Sequence, residues 1–560
     1  MVKLRFSADR LVEAGGVEID VLKDALFRLK CEVEENAGEL EVEVNPDRPD
    51  MFSVEGIVRA VRGLMALELG WPQPQIAESG LLIANETPSS RPVIAGAVVY
   101  NVNVDEELVP ELMQFQEKLH DTLGRRRRKV AIGIHDLSKI RGRRLRYKLV
   151  GLDYEIIPLG SKKEMTVKDV LSFTEQGVKY GSISLVKGEG KALHPAILDE
   201  NGNVISLPPV INSDLTRVES GTRDLFIDVT GTEPRIVDEI LNVLVSNLLE
   251  RKGARLGYVQ IAGPEGMYLK PSLSPKRKDL NVSYVNQVLG TDLTFDDVAF
   301  SLLKMRHSVE PATGDHLVVL VPPFRVDVLG SVDLVEDVAI ALGYDSPRLS
   351  PTEPPVIPTG KLTGMTRLAR LSRDIMIGLG FTELMSYLLT SYHLLEILGL
   401  RGQVVRIKNP VQADLDALRP SLTPSLLAAV EASVSRRKPV RLFEIGKVVF
   451  VEEGNLVEER RLGAALMDDA VSYEDIQAIA YSFLRALGLQ PSARPLRGPG
   501  FLLEGRIAEL LANGKSVGIV GEVSPYVLEA LGVSYPVALF EISLSKLLEV
   551  LTGGNPGSEA

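Results

Sequence analysis

The spacing of apolar residues near the start of the chain predicts an amphipathic helix behind a polar corner. Apolar side chains recur three and four residues apart after Ser53, which can cap the helix. They are Val54, Ile57, Val58, Val61 and Met65. Arg59 and Arg62 fall on the opposite face of this helix. The corner before it reads "NPDRPD" and is either a turn or a chemical site.

Apolar patterns along the rest of the chain divide it into four globular regions that mix strands with helices. A strong turn at Glu200 to Asn203 predicts a hairpin, and "EPRIVDEILNVLVSNLLERKG" predicts a long amphipathic helix. The predicted boundaries are 1–85, 86–262, 266–350, a proline-rich linker at 351–361, and 362–555. We therefore expect a multidomain α+β protein.

Composition indicates a soluble globular protein. The chain has 560 residues, of which 45% are hydrophobic and 25% are charged. No apolar run approaches the roughly 18 residues of a membrane span, and the start lacks a secretion signal. Its one cysteine, Cys31, excludes an intrachain disulfide framework and a cysteine-rich zinc site. We expect a cytoplasmic protein without a membrane partner.

A basic run interrupts the overall acidic charge. The chain carries a formal net charge of -12, yet Gly124 to Lys148 holds eleven Lys or Arg residues against one acid, Asp136. The phosphates of a nucleic acid are the natural partner of such a cluster. The alternative is a solvated face that serves solubility alone.

The opening corner and helix have an echo in the third region. Aligning "NPDRPDMF-SVEGIVRA" with "PPFRVDVLGSVDLVEDVA" places Arg48 over Arg325 and Asp50 over Asp327, which suggests related folds. The second copy carries four acids, Asp327, Asp333, Glu336 and Asp337. The last three share one helix face, and Asp327 arrives from the preceding corner. Four carboxylates that converge without a basic residue between them would repel unless a cation bound there.

Hard oxygen ligands without His or Cys favour Mg²⁺ at these four acids over zinc or copper. The alternative is a helix N-terminus that holds acids for its dipole. The first copy has Val58 and Arg59 at the equivalent positions, so we expect it to be structural only.

Eight motifs, in this order, resemble those of a known family. They are "NPDRPDMFSVEGIVRA", "QEKLH", "RRRRKVAIGIHDL", "LPPVINS", "FIDVTGTE", "PPFRVDVLGSVDLVEDVAIALGYD", "NPVQADLDALRPSLTPSLL" and "RLFEIGKV". Together they look like the beta subunit of phenylalanine-tRNA ligase of the archaeal and eukaryotic cytosolic type, over nearly the whole chain. The chain is too short for the anticodon-binding module of the bacterial form.

The resemblance implies an architecture and partners. It implies an N-terminal B1-like domain, a B3/B4-like editing domain, a B5 domain with Mg²⁺ on the four acids, and a class II synthetase-like C-terminal domain. It also implies an alpha2-beta2 heterotetramer in which the alpha subunit binds ATP and phenylalanine and charges tRNA(Phe). Within this reading we expect Arg126 and Arg127 to contact tRNA phosphates.

Proofreading is a physical expectation for such a ligase, because an apolar pocket rejects an added hydroxyl only about 10²-fold. Polar residues near strand ends of the editing-like region are Asn212, Ser213, Glu219, Asp228 and Thr230. We predict a pocket formed by Asn212, Ser213, Asp228 and Thr230. Asp228 could accept a hydrogen bond from a tyrosine hydroxyl, or be an ordinary solvent-facing strand acid. His135 and His194 are either bases or structural residues.

The last region lacks the residues of an ATP site. Its strand "RLFEIG" keeps Glu444, but no glycine-rich segment ending in Arg follows, and no P-loop occurs. Three functions stay open at this point. They are an editing subunit of a ligase, a scaffold of the same complex that binds tRNA without editing, and a separate Mg²⁺-dependent phosphotransferase, which would lack a phosphate-binding loop.

Overall fold

The computed structural model describes residues 2–553 apart from 37, 188–190, 265, 312–313, 347–348, 350–359, 403 and 437. The chain forms two compact units, Met1–Pro355 and Val356–Ala560, and the predicted multidomain α+β class is confirmed. Most of the predicted linker at 351–361 lies outside the described residues. None of the helices in the described part has both the length and the apolar character that a membrane crossing needs.

The first region packs three helices on a three-stranded antiparallel sheet of order β1-β3-β2. Its elements are β1 (Val2–Ser7), α1 (Ala8–Gly15), α2 (Ile19–Arg28), β2 (Glu32–Asn36), β3 (Glu39–Val44) and α3 (Val54–Leu64). Ser53 caps α3 as predicted, and its Oγ accepts a hydrogen bond from the Gly56 backbone N–H at 3.3 Å. Arg59, predicted on the polar face, is instead buried, because neighbouring elements cover almost the whole helix.

The second region is built on an eleven-stranded sheet. Its main path has the order β13-β12-β11-β7-β4-β15-β5-β14-β6, with β10 paired to β11 and β16 paired to β15. The strands are β4 (Ile76–Asn85), β5 (Val93–Tyr100), β6 (Val130–Asp136), β7 (Arg144–Gly151), β10 (Val186–Lys187), β11 (Ala192–Leu198), β12 (Val204–Leu207), β13 (Ile211–Asn212), β14 (Leu225–Gly231), β15 (Arg255–Gly263) and β16 (Gly266–Lys270), beside the separate pair β8 (Glu155–Ile156) and β9 (Met165–Thr166). The helices are α4 (Leu108–Asp121), α5 (Val167–Phe173), α6 (Glu175–Ser184) and α7 (Pro234–Leu248).

The sheet confirms one prediction and shifts two boundaries. Strands β11 and β12 pair as the hairpin predicted around Glu200 to Asn203. Strand β4, placed before the boundary at residue 85, pairs in parallel with β7 and β15. Strand β16, placed in the region starting at 266, pairs with β15. Both strands therefore extend the second region at its two ends, because strand pairing over a distance in sequence decides membership of a sheet.

The third region repeats the first. Its elements are β17 (Lys276–Asn281), α8 (Val282–Leu289), α9 (Phe295–Lys304), β18 (Ser308–Pro311), β19 (His316–Val321) and α10 (Ser331–Leu342). The order of elements is that of the first region, and the sheet order β17-β19-β18 corresponds to β1-β3-β2. The structural relation suggested by the repeated corner is thus confirmed. One buried cluster extends across the three regions, since it contains Leu4, Ile57, Leu244, Phe324 and Ile340.

The second unit is a mainly antiparallel sheet with helices, of order β20-β23-β24-β28-β27-β26-β25. Its strands are β20 (Thr382–Glu383), β21 (Leu389–Thr390), β22 (Ala417–Leu418), β23 (Val440–Glu452), β24 (Asn455–Met467), β25 (Pro491–Pro495), β26 (Leu502–Ala512), β27 (Lys515–Val523) and β28 (Val537–Ser543). Its helices are α11 (Gly364–Gly378), α12 (Tyr392–Ile397), α13 (Thr423–Glu431), α14 (Tyr473–Ala486), α15 (Pro525–Ala530) and α16 (Leu544–Leu551). Strand β23 contains Glu444, as predicted.

Candidate functional site

A cavity of about 630 Å³ opens beside the large sheet of the first unit. Helices α4 and α6, strand β6 and the turn between β12 and β13 line it. Apolar lining residues include Val109, Leu112, Met113, Ile132, Ile134 and Val210. Polar ones include Glu117, Arg127, Tyr180, Asn212, Thr216 and Asp228. Its size and its mostly apolar wall with a few polar groups are typical of a small-molecule site.

Asp228 reaches this cavity from the middle of strand β14, which is the second strand from one edge of the sheet. Strand β14 lies between β5 and β6, so that Asp228 stands opposite Gly96 on one side and Gly133 on the other. A Cβ atom on Gly133 would lie 2.0 Å from Asp228 Oδ2. Glycine at 133 therefore leaves the space that the carboxylate occupies. The side chain is buried and lines the cavity, so it is not the solvent-facing acid of the alternative reading.

His135 links Asp228 to a hydroxyl. Its Nε2 lies 2.8 Å from Asp228 Oδ2, and its Nδ1 lies 2.7 Å from Thr216 Oγ1. The ring stacks on Phe226 at 5.7 Å between centroids and is completely buried. Thr216 and Asp228 both line the cavity, whereas His135 does not. The histidine therefore connects these two lining residues from within the protein. Sequence reasoning gave His135 no partner, because Thr216 lies 81 residues away.

The other predicted pocket residues divide into two groups. Asn212 and Ser213 line the cavity, but the Ser213 hydroxyl is used locally, donating to Ile157 O and accepting from Leu215 N–H. Thr230 does not line the cavity. It is buried behind it, and its Oγ1 accepts a hydrogen bond from Arg91 Nε at 3.2 Å. Thr230 is therefore a supporting residue in this structure.

Arg91 and His194 lie buried in the same region. Arg91 also donates from Nη2 to the Arg127 carbonyl at 2.8 Å, and burial lowers its pKa to about 10. His194 donates from Nδ1 to the Pro195 carbonyl, and burial lowers its pKa to about 4. A histidine that is neutral and enclosed matches the structural alternative for His194. Sequence reasoning missed Arg91, whose only signal is its place in the loop "NETPSSRP".

The two arginines predicted to contact tRNA differ in exposure. Arg126 is exposed, whereas the Arg127 side chain is 13% exposed and lies in the cavity wall. Its guanidinium pairs with Glu117 and donates to the carbonyls of Pro209 and Val210. These contacts argue against the phosphate-binding role predicted for Arg127, because most of its guanidinium is already used within the protein.

The four acids of the third region do not gather into one cluster. Arg325 lies between two of them, with its Nη2 2.7 Å from Asp327 Oδ2 and 2.8 Å from Asp337 Oδ2. His307 Nε2 lies 2.6 Å from the same Asp337 oxygen. Burial opposes ionisation of Asp337, but the Arg325 charge and the His307 hydrogen bond outweigh it and hold the pKa below its usual range. The expectation that no basic residue lies among these acids is wrong.

Asp333 and Glu336 have separate partners. Asp333 Oδ2 accepts hydrogen bonds from the backbone N–H groups of Leu329 and Gly330 at the start of α10, which is the role given by the helix-terminus alternative. Glu336 pairs with Lys30 at 2.7 Å and is 46% exposed. In the described part of the chain, His, Cys, Asp and Glu side chains form no group of three that could hold a metal ion. The four residues as placed therefore do not fit a closed Mg²⁺ cage.

The first copy of the corner has the reverse charge pattern. Asp50 accepts two hydrogen bonds from Arg48 at 2.9 Å and lies 3.7 Å from Arg59. Arg59 also donates to Asn247 Oδ1 and stacks at 3.6 Å over the ring of Phe324, which belongs to the second copy. This corner is structural, as expected, and it packs against the repeated one.

Buried ion pairs also fill the second unit. Glu444 pairs with Arg419 at 2.8 Å and accepts a hydrogen bond from Ser386 Oγ. A cavity of about 600 Å³ is lined by Arg461 and Glu541, which pair at 2.9 Å. Glu541 also accepts from the backbone N–H groups of Leu422 and Thr423. Arg461 is thus already paired with two carboxylates, those of Glu459 and Glu541.

Comparison with known proteins identifies the family. A model of the "tRNA synthetase B5 domain" matches residues 278–344, and one of the "Phenylalanyl tRNA synthetase beta chain CLM domain" matches residues 350–544. An N-terminal fragment of the phenylalanyl-tRNA synthetase beta subunit from Pyrococcus horikoshii matches with a TM-score of 0.57 and 33% identity, covering 61% of this chain and all of the fragment.

Curated relatives match almost end to end. The phenylalanine–tRNA ligase beta subunit of Aeropyrum pernix is 46% identical over 98% of this chain and 99% of its own length. That of Sulfurisphaera tokodaii is 40% identical over 97% and 98%. The resemblance found in the sequence motifs is confirmed, and the chain belongs to the family of phenylalanine–tRNA ligase beta subunits.

Proposed function

We propose that this chain acts as the beta subunit of a phenylalanine–tRNA ligase and carries its proofreading site. An alpha subunit would bind ATP and phenylalanine and charge tRNA(Phe), and the two would assemble as an alpha2-beta2 heterotetramer in the cytoplasm. End-to-end similarity to curated beta subunits supports the role. In the second unit, Arg419 and Arg461 are paired with carboxylates, which supports the proposal that this unit does not itself bind ATP.

The observation that carries the proofreading proposal is Asp228 in the wall of the cavity. The apolar side chains of α4 and β6 can surround an aromatic ring, and the buried carboxylate can accept a hydrogen bond from a phenol hydroxyl. A phenylalanyl group in the same place would leave that carboxylate without this donor, which is costly for a buried polar group. The cavity would thus bind the tyrosyl group of mischarged tRNA(Phe) in preference to the phenylalanyl group.

The reaction proposed for this cavity is hydrolysis of the ester between tyrosine and the terminal ribose. Water adds to the ester carbonyl carbon, the bond from this carbon to the ribose oxygen breaks, and a proton passes to that oxygen. Tyrosine and uncharged tRNA(Phe) are released. In this scheme Asp228 binds the phenol, and His135 with Thr216 fixes the orientation of the Asp228 carboxylate.

An Asp228→Ala variant of the assembled complex tests this function. We expect hydrolysis of tyrosyl-tRNA(Phe) to fall by about 10- to 100-fold, as expected for loss of one hydrogen bond of about 1.5 to 3 kcal/mol to a charged group. Charging with phenylalanine should be unchanged. If the wild-type complex leaves tyrosyl-tRNA(Phe) intact, the chain is the scaffold of the alternative reading. Equal loss of both activities would indicate a folding defect.

Binding of tRNA by the basic run is a second part of the proposal. Arg126 is exposed beside the cavity, within the segment that carries the local excess of positive charge. Arg126→Ala should weaken tRNA binding and reduce the slope of log affinity against log salt by about one unit per lost phosphate contact. An unchanged slope would favour the solvated-face alternative.

Mg²⁺ stays a prediction with a reduced set of ligands. Arg325 occupies the space between Asp327 and Asp337, so we restrict the proposal to the half-buried Asp333 and the exposed Glu336. Mg²⁺ commonly keeps several waters and binds through one or two carboxylates, which this pair could supply. An ion there would compete with Lys30 for Glu336. No step of the proposed hydrolysis uses it.

A further inference from the structure

Arg127 touches more of the cavity wall than its place in a basic run suggests. Its Nη1 donates to the carbonyls of Pro209 at 3.1 Å and Val210 at 3.0 Å, in the turn after β12. Its Nη2 donates to Glu117 on α4, and its guanidinium lies 4.5 Å above the ring of Tyr180 on α6. All four partners line the same cavity. One side chain thus connects three separate elements of the wall.

The pairing with Glu117 is reinforced from α4. His120 Nδ1 lies 3.1 Å from Glu117 Oε1, and His120 Nε2 accepts a hydrogen bond from the Ile132 backbone N–H at 2.8 Å. Burial opposes ionisation of Glu117, but His120 and Arg127 outweigh it and lower its pKa to about 2. The carboxylate that holds Arg127 is therefore fixed to both α4 and β6.

The backbone from Arg125 to Arg127 is in an unusual conformation. Arg125, Arg126 and Arg127 have φ angles of 48°, 54° and 63°, in the left-handed region that residues with side chains rarely adopt. Arg91, completely buried, holds the Arg127 carbonyl from inside. Such a conformation persists only where surrounding contacts impose it, and it is found disproportionately at functional sites. Here it turns one arginine inward from a run of four.

We propose that Arg127 is a positioning residue that holds α4, α6 and the turn at 208–213 together and thereby sets the width of the cavity. This inference rests on the proposed proofreading function. Asp228 can distinguish tyrosine from phenylalanine only while the ring is held close enough for its hydroxyl to reach the carboxylate. Arg127 therefore contributes to the discrimination between the two esters without contacting the tRNA phosphates.

The test compares Arg127→Ala and Arg127→Lys with wild type in the assembled complex. For Arg127→Ala we expect the ratio of kcat/KM for tyrosyl-tRNA(Phe) to that for phenylalanyl-tRNA(Phe) to fall by about 10- to 100-fold, since a shift of about 1 Å in a site can cost about a hundredfold. Arg127→Lys keeps a charge that can reach Glu117 and should restore part of the ratio. Glu117→Gln should show the same direction of change.

Amide hydrogen exchange gives a readout that does not need hydrolysis. Arg127→Ala should speed exchange in α6 and in the turn at 208–213, because both lose a shared contact. Arg235→Ala is the matched control, since it removes a largely exposed arginine that pairs within α7, with Glu239, and it should leave these segments unchanged.

The outcomes separate the two proposals. A wild-type complex that does not hydrolyse tyrosyl-tRNA(Phe) overturns the proposed function, while exchange still decides whether Arg127 holds the wall. Unchanged exchange in Arg127→Ala, or an unchanged ratio with active enzyme, overturns the positioning role. A decrease of about one unit in the salt slope of tRNA binding in this variant would instead assign Arg127 to a phosphate contact.

Discussion

Two buried aspartates of the first unit each pair with a histidine, but the space beside each aspartate is different. Asp337 lies 2.6 Å from Nε2 of His307, and Asp228 lies 2.8 Å from Nε2 of His135. Asp337 also pairs with Arg325, which fills the space beside it, whereas Asp228 lines a cavity of about 630 Å³. One Asp-His pair is thus closed by an arginine, and the other is open to a ligand.

This difference separates a structural acid from a functional one. A buried carboxylate with its charge balanced by an internal cation has little left to offer a ligand. One that faces a cavity keeps hydrogen-bonding capacity for a molecule that enters. The number of acids near each other, which singled out the third region in the sequence, is a weaker guide than whether an arginine reaches them.

Replacement of Arg325, the arginine beside Asp337, should have the largest effect on stability. Arg325→Met leaves the buried Asp337 and the half-buried Asp327 without their cation, and we expect a loss of about 3 to 5 kcal/mol in the free energy of unfolding. Urea unfolding of the purified chain measures it. Arg146→Met, which breaks an exposed pair with Glu86, should cost less than about 1 kcal/mol. A loss below that of the control would mean that Arg325 does not balance the two acids.

Low pH should remove the stability that the Asp337 carboxylate contributes. Because the pKa of Asp337 is depressed in the folded chain, its contribution to stability is present above the unfolded carboxyl pKa of about 3.9 and is lost as the pH falls below it. Asp337→Asn should be less stable than wild type at pH 7. Between pH 4 and pH 2 its unfolding free energy should fall less steeply, by up to about 1.4 kcal/mol per pH unit. Parallel curves would contradict the depressed pKa.

Filling the space beside Asp228 should lower both the stability of the chain and the rate of hydrolysis. A Cβ at Gly133 would lie 2.0 Å from Asp228 Oδ2 and 2.7 Å from His135 Nε2, so Gly133→Ala must push the pair apart. We expect a loss of about 1 to 3 kcal/mol in stability and at least about tenfold in hydrolysis of tyrosyl-tRNA(Phe). Gly263→Ala is the control, because its nearest neighbours lie 3.9 Å away. Equal behaviour of the two variants would show that the pair tolerates displacement.

Binding of Mg²⁺ should have the smallest effect on the stability of the chain. If only Asp333 and Glu336 bind it, the ion stabilises the chain by about 0.4 kcal/mol when its concentration equals the dissociation constant. Thermal unfolding with MgCl₂ and with EDTA should therefore differ slightly, and Glu336→Gln should remove the difference. Lys30→Met, which frees Glu336 from its ion pair, should increase it. A large response that survives Glu336→Gln would place the ion elsewhere.

The sequence predicted the fold well where the signals were local. The repeat of the first region in the third was visible in the Arg-x-Asp corner followed by an amphipathic helix, and the cap of α3 at Ser53 was visible in its spacing. The positions of β4 and β16 could not be predicted this way. Their partners lie far along the chain, and only the pairing reveals which sheet they join.

The candidate site was predicted in part, for a related reason. The sequence placed Asp228 in the predicted pocket, and this residue lines the cavity. The roles of His135, Arg91 and Arg127 depend on contacts that span up to 139 residues, which no local pattern carries. Arg325 stood two residues from Asp327 in the sequence, but nothing local indicates that its guanidinium also reaches Asp337.

The most direct test measures stability and hydrolysis in the same two variants, Asp228→Asn and Asp337→Asn. We expect Asp228→Asn to slow hydrolysis of tyrosyl-tRNA(Phe) by about 10- to 100-fold, a loss of about 1.4 to 2.8 kcal/mol in transition-state binding, while charging with phenylalanine is kept. Asp337→Asn should lower the free energy of unfolding by about 2 kcal/mol or more and leave the discrimination between the two esters unchanged. If instead Asp337→Asn reduced this discrimination, or Asp228→Asn left hydrolysis intact, the distinction between a closed and an open aspartate would be wrong.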